Sequence, residues 1–103
     1  MNTKLFIALQ AYLDELKQYA ESITPVWTGA WKSAHRTEVT ETQIRLYVAP
    51  DVLNPVTGVP VEVYADVWES RGGVNAVYAR VLEHFNVVAD VNSIVVEVLL
   101  SEQ

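Results

Sequence analysis

Cysteine is absent from the sequence, so no disulfide framework and no thiolate metal site can hold the fold. Stability has to come from packing, within the chain or against other chains. Basic residues are scarce in the second half. Residues 50–103 carry eight acids (Asp51, Glu62, Asp66, Glu69, Glu83, Asp90, Glu97 and Glu102) against Arg71 and Arg80. Residues 1–49 are balanced, so the whole net charge of −6 lies in the second half. Phosphate binding needs Lys and Arg, and an acidic half speaks against wrapping nucleic acid. Met1 to Ala20 also lacks an uninterrupted apolar run, being broken by Lys4, Asp14, Glu15 and Lys17. That pattern fits neither a secretory h-region nor a membrane span. No membrane association is expected, and a cytoplasm-like compartment is.

Catalytic signals are equally thin. His35 and His84 lie in separate segments, neither in a metal-ligand spacing such as His-Glu-x-x-His. None of Ser22, Ser33, Ser70, Ser93 and Ser101 sits in Gly-x-Ser-x-Gly. Arg71-Gly72-Gly73 lacks the Lys-terminated phosphate cradle and reads as a turn. Asp66 and Glu69 stand at helical spacing, but without a pocket signal they read as a solvated face. The expectation is a non-enzymatic protein with no catalytic site, metal or cofactor.

What the chain does have is hydrophobic residues, at 50% of the composition, in one domain of 103 residues. Leu5, Leu9, Tyr12, Leu13, Leu16, Tyr19, Ala20 and Ile23 recur at helical spacing. They predict an amphipathic helix from Thr3 to Ile23, with Thr3 as N-cap and Pro25 as its stop. Thr42, Ile44, Leu46 and Val48 alternate with Gln43, Arg45 and Tyr47, predicting a β-hairpin over 34–48 with its turn near Glu41. Residues 49–60 carry four breakers or turn pairs and read as a loop. Its Val52, Leu53, Val56 and Val59 are unusually apolar for a solvated loop and point to cover by another chain.

Val61 to Tyr64 reads as a short strand or strand end, and Tyr64 to Ser70 as a helical turn cut by Gly72-Gly73. Val74 to Val88 reads as a second amphipathic helix, and the apolar run Ser93 to Leu100 as a buried strand. The fold class is therefore α+β, with an N-terminal helix and a small, mainly antiparallel sheet on which a second helix packs.

Two blocks carry a family resemblance. Thr24-Pro25-Val26-Trp27-Thr28-Gly29-Ala30-Trp31-Lys32-Ser33 resembles the T-P-x-D-T-G-x-L-[RK]-x-S signature of tail-completion and neck proteins of tailed bacteriophages. Tyr64-Ala65-Asp66-Val67-Trp68-Glu69-Ser70-Arg71-Gly72-Gly73 resembles their later Y-A-x-x-V-E-x-G block. Trp27 stands in place of the usual Asp and Trp31 in place of Leu, and Glu69 arrives one position late. The matching positions, Pro25, Thr28, Gly29, Trp31, Tyr64, Ala65, Glu69 and Gly72, are expected to act structurally.

The resemblance implies a virion protein of the head–tail junction, assembled in the host cytoplasm. It implies a homo-oligomeric ring, a hexamer or alternatively a dodecamer, joining the portal-side connector to the tail terminator or tail tube. DNA would pass through such a ring without specific binding. In that setting Trp27, Val52, Leu53, Val56 and Val59 are candidates for the subunit interface. Asp66, Glu69 and Asp90 are candidates for a channel wall that repels DNA. The alternative from another class is a small acidic cytoplasmic binding protein, an inhibitor, antitoxin or nucleic-acid mimic.

Overall fold

The computed structural model describes residues 2–102. Helix α1 (Thr3–Ile23) leads through a 3-10 turn at Lys32–Ala34 into strands β1 (His35–Val39) and β2 (Ile44–Val48). Three helices follow: α2 (Val61–Arg71), α3 (Val77–His84) and α4 (Val87–Ser101). The architecture is α+β, as the sequence predicts, with the two strands forming one antiparallel hairpin.

α1 forms where its apolar stripe predicts, and Leu9, Tyr12, Leu13, Leu16 and Ala20 are its buried face. Its N-cap is Asn2 rather than Thr3: the Asn2 side chain accepts from the Leu5 amide at 3.2 Å. The Thr24 amide closes the other end on the Ala20 carbonyl, at 3.0 Å, before Pro25 bars a further turn. In the hairpin, His35 pairs with Val48 and Glu38 with Arg45, whose charges stand 3.6 Å apart. The Thr40 amide donates to the Gln43 carbonyl at 2.9 Å, which places the turn around Glu41 as expected.

Two predicted strands are helices instead. Val61 to Tyr64 is the first turn of α2, not a strand end. Its β-branched residues favour a strand only weakly, while the i,i+4 pairs Val61/Ala65 and Tyr64/Trp68 give it one face for the core and one for the aromatics. Both Val61 and Ala65 are buried. Pro60 fixes the entry, and the strand-like segment ends there in an isolated bridge between Leu53 and Pro60.

The run 93–100 is likewise the C-terminal part of α4. A strand buried on both faces needs sheet neighbours, and the hairpin supplies none on that side. The Asn86 side chain accepts from the Ala89 amide at 3.4 Å and starts the helix. The predicted helix 74–88 accordingly breaks at Phe85-Asn86, leaving α3 with eight residues.

The core lies between α1, the hairpin, α2 and α3, around Leu13, Leu16, Trp31, Val61, Val77 and Val81. α4 runs antiparallel along α1. Asn2 at the start of α1 bonds Glu102 at the end of α4, and the Tyr12 hydroxyl bonds Asp90 at 2.6 Å. This hairpin of long helices draws the molecule out to 54 × 25 × 20 Å. Its radius of gyration is 15.4 Å, against about 13 Å for a compact chain of this length.

Candidate functional site

The two signature blocks, far apart in sequence, meet in space. Trp27 lies 5.6 Å from Trp31, 6.3 Å from Tyr64 and 5.9 Å from Trp68, centroid to centroid. Trp31 meets Tyr64 edge-on at 5.8 Å. α2 makes this possible because Tyr64 and Trp68 are four residues apart and project from one face. Arg71 covers the outer side of Trp68 at 5.3 Å. The two tryptophans of the first block divide the work. Trp31 is 3% exposed and belongs to the core, whereas Trp27 is 56% exposed and forms the outer lid of the cluster.

Each matching position has a local job. Gly29 has φ +81°, in the left-handed region, and lets the chain turn between the tryptophans. Its carbonyl accepts from the Ser33 amide at 3.1 Å, while Thr28 Oγ1 accepts from the Ala30 amide at 3.3 Å. Ala65 is buried against the core. Gly72, with φ +72°, ends α2, its amide bonded to the Trp68 and Glu69 carbonyls. The Glu69 carboxylate accepts from the Tyr78 and Ala79 amides at the start of α3, the second at 3.3 Å. It thereby caps a helix whose own preceding residue, Ala76, has no capping side chain.

Beneath this junction lies a buried polar relay that the sequence reading passed over. His35 is fully buried. Its Nε2 is 2.7 Å from Thr24 Oγ1, and its Nδ1 is 2.8 Å from the Tyr78 hydroxyl. Thr24 Oγ1 donates its one hydrogen to the Ala20 carbonyl at 2.6 Å, which can only accept. Nε2 must therefore carry the imidazole proton and donate to Thr24, leaving Nδ1 to accept from Tyr78. Burial, with Lys17 and Arg36 adding to it, lowers the His35 pKa to about 4. Burial, then the Glu69 charge, raises the Tyr78 phenol well above its ordinary value. The relay ties the end of α1, the start of β1 and α3 together. Among the described residues, no buried side-chain N or O lacks a partner.

The predicted acids are not equivalent. Asp66 is exposed on α2, whereas Glu69 is committed to α3 and Asp90 to Tyr12. The loop 49–60 is a built projection. Asn54 Oδ1 accepts from the Val56 and Thr57 amides at 2.9 and 3.1 Å, and the Asn54 amide donates to the Val59 carbonyl at 2.9 Å. The projection carries Val56 at 82% exposure, with Leu53 and Val59 also exposed and Val52 tucked against the core. Trp27, the fifth interface candidate, joins the aromatic cluster of Trp31, Tyr64 and Trp68 instead.

Between α1, the hairpin and α3 there is a groove of about 210 Å³, lined by Leu13, Leu16, Ile44, Leu46, Val81 and Leu82 among others. It is smaller than the roughly 300–1,000 Å³ of ordinary ligand pockets. Its one polar neighbour, the Tyr78 hydroxyl, already serves His35. Among the described residues, no group of three or more His, Asp or Glu side chains is placed to hold a metal ion. Comparison of the chain with protein-family models, with curated proteins and with solved structures gives no match.

Proposed function

We propose that this chain is a structural, non-enzymatic component of the head–tail junction of a tailed bacteriophage. In this reading it forms a ring between the connector and the tail. The observation that carries the reading is the meeting of residues 24–33 and 64–73 in one aromatic cluster. The positions that resemble the neck-protein signature are those that turn, cap and close this junction. A signature made of such positions is one of architecture, and its outer element, Trp27, is left half open for a neighbour. The Val56 tip offers a second apolar contact, and aromatic and aliphatic knobs of this kind anchor protein interfaces.

Of the three acids offered for a channel wall, Asp66 fits that role best, since it is exposed and makes no structural bond among those described for Glu69 and Asp90. The inhibitor alternative draws on the same acidic half, and two of its carboxylates are already engaged inside the fold.

The test uses heads of the encoding phage that lack this protein. Purified protein should sediment with those heads, appear as rings of six or twelve by electron microscopy, and restore tail joining. It should not retain double-stranded DNA even at low salt, whereas Asp66→Lys should introduce weak, salt-sensitive retention. A protein that ignores the heads and instead binds a basic protein partner would favour the inhibitor reading. Tight DNA binding by the unmodified chain would overturn both.

A further inference from the structure

α4 differs from the other helices in what it gives the core. α1, α2 and α3 each contribute buried residues, whereas the 15 residues of α4 contribute none. The buried cluster runs in sequence from Tyr12 to Val81. Val87, Val91 and Ile94 rest against it, only partly covered, at the spacing of one helix face. The core is thus enclosed by α1, the hairpin, α2 and α3 before α4 begins.

The joint before α4 is anchored on one side. Phe85 lies edge-on to Tyr12 at 6.3 Å and to Tyr19 at 5.6 Å, and His84 stacks on Tyr19 at 4.1 Å. The Phe85 amide still closes on the Val81 carbonyl at 3.0 Å. The backbone then leaves the helical region, with ψ 136° at Phe85 and ψ 79° at Asn86, and α3 and α4 meet at 56°. Such short breaks at an element end are where hinge motion is absorbed.

Two polar bonds close α4 on α1. The Asn2 side-chain amide donates to Glu102 at the far end, where both are open to water. The Tyr12 hydroxyl donates to the Asp90 carboxylate at 2.6 Å near the joint, in a partly buried setting. The second is the stronger, since a bond to a charged group out of full solvent is worth more than an exposed one.

We infer that α4 is a releasable arm. It opens from α1 as one unit about Asn86, with the Tyr12–Asp90 bond as its clasp, while α1, the hairpin, α2 and α3 stay folded. Opening gives up half-covered contacts and leaves the buried cluster closed, so it costs much less than global unfolding. Away from α1 a helix of this length has little stability of its own and melts. Release bares the face of α1 that the arm covers, so the chain changes which surface it shows without unfolding. The inference rests on the packing of the single chain and stands apart from the neck reading.

The experiment follows amide hydrogen exchange residue by residue by NMR on the full, unmodified chain, across low urea concentrations. Residues 91–100 should exchange at least about a hundredfold faster than residues 13–20 of α1, as a separately opening unit does. Their exchange should also rise with urea at no more than roughly a third of the slope of residues 13–20, because opening the arm exposes little surface. One common rate and slope for both sets would overturn the inference.

Tyr12→Phe keeps the ring and removes the clasp. It should speed exchange of residues 91–100 about tenfold or more, the worth of a hydrogen bond to a charged group. Tyr47→Phe, on β2 away from α4, should leave that exchange within about twofold, the range of an ordinary surface change. An arm whose exchange ignores Tyr12→Phe, or responds equally to both changes, would overturn the clasp.

Discussion

The junction around His35 and the α1–α4 hairpin sit at opposite extremes of the same small molecule. At the junction no described buried side-chain N or O lacks a partner: Thr24, His35 and Tyr78 form one relay, and Glu69 caps the helix from which Tyr78 projects. Trp31, Val61 and Val77 pack around it with almost no exposure. The hairpin has the reverse character. No residue of α4 is fully buried, although most of the helix is apolar. A chain of this size, with no disulfide to lean on, has put its saturated packing where the two signature blocks meet. It has left its unsatisfied apolar surface on the elements that project from that centre. The difference separates what holds the monomer together from what remains for neighbours.

The comparison predicts a sharp split between the two tryptophans. Trp31→Ala removes a buried indole from the core and should lower unfolding free energy by about 3–5 kcal/mol. Trp27→Ala, over half exposed, should cost about 1 kcal/mol or less in the monomer yet weaken assembly. Denaturant melts beside sedimentation of each variant would check both halves. Equal losses of stability would erase the distinction.

The relay should also make the junction acid-sensitive in a way the hairpin is not. The His35 pKa is lowered in the folded chain to about 4 from 6.5, so between these values the unfolded chain binds the extra proton. The associated stability is fully present above pH 6.5 and is lost as the pH falls toward 4. The loss is on the order of 3 kcal/mol by linkage. It should appear as a falling urea midpoint across that window, and His35→Gln should flatten the slope. A midpoint independent of pH between 7 and 4.5 would contradict the buried, neutral state described for His35.

Gly29 gives the smallest of the three effects. A Cβ there meets nothing within 4 Å, so the only obstacle is the backbone at φ +81°. Gly29→Val should cost about 1–2 kcal/mol, and Gly29→Asn distinctly less, since Asn tolerates this conformation. Thermal melts would rank them. A Gly29→Val chain with an unchanged melt but lost assembly would move the turn from the core account to the interface.

The sequence exposed the parts of this fold whose signals are local. The stripe from Leu5 to Ile23 and the alternation from Thr42 to Val48 each determine their element without help, and Pro25 and Gly72 mark real ends. The second half resisted because its Val-rich segments have the composition of strands and the environment of helices. Val61-Glu62-Val63-Tyr64 and Ile94-Val95-Val96 are helical only because α1 and the core offer them a face, and no sheet offers them an edge. The aromatic junction was half legible: the two blocks could be named, but that Trp27 and Trp68 touch is a long-range fact. His35 gave no sign of its relay, since Thr24 and Tyr78 lie in other elements, and a lone histidine in a strand carries no spacing to read. Glu69 as a helix cap was hidden for the same reason, its amide partners lying nine and ten residues on.

The most direct test of the division between a finished junction and an unfinished surface is sedimentation velocity on the unmodified chain over a wide concentration range, with circular dichroism recorded on the same samples. The account predicts species heavier than the 11.5 kDa chain, growing with concentration while the helical signal stays constant. A single 11.5 kDa species at every concentration, fully folded and with no affinity for phage heads, would contradict it.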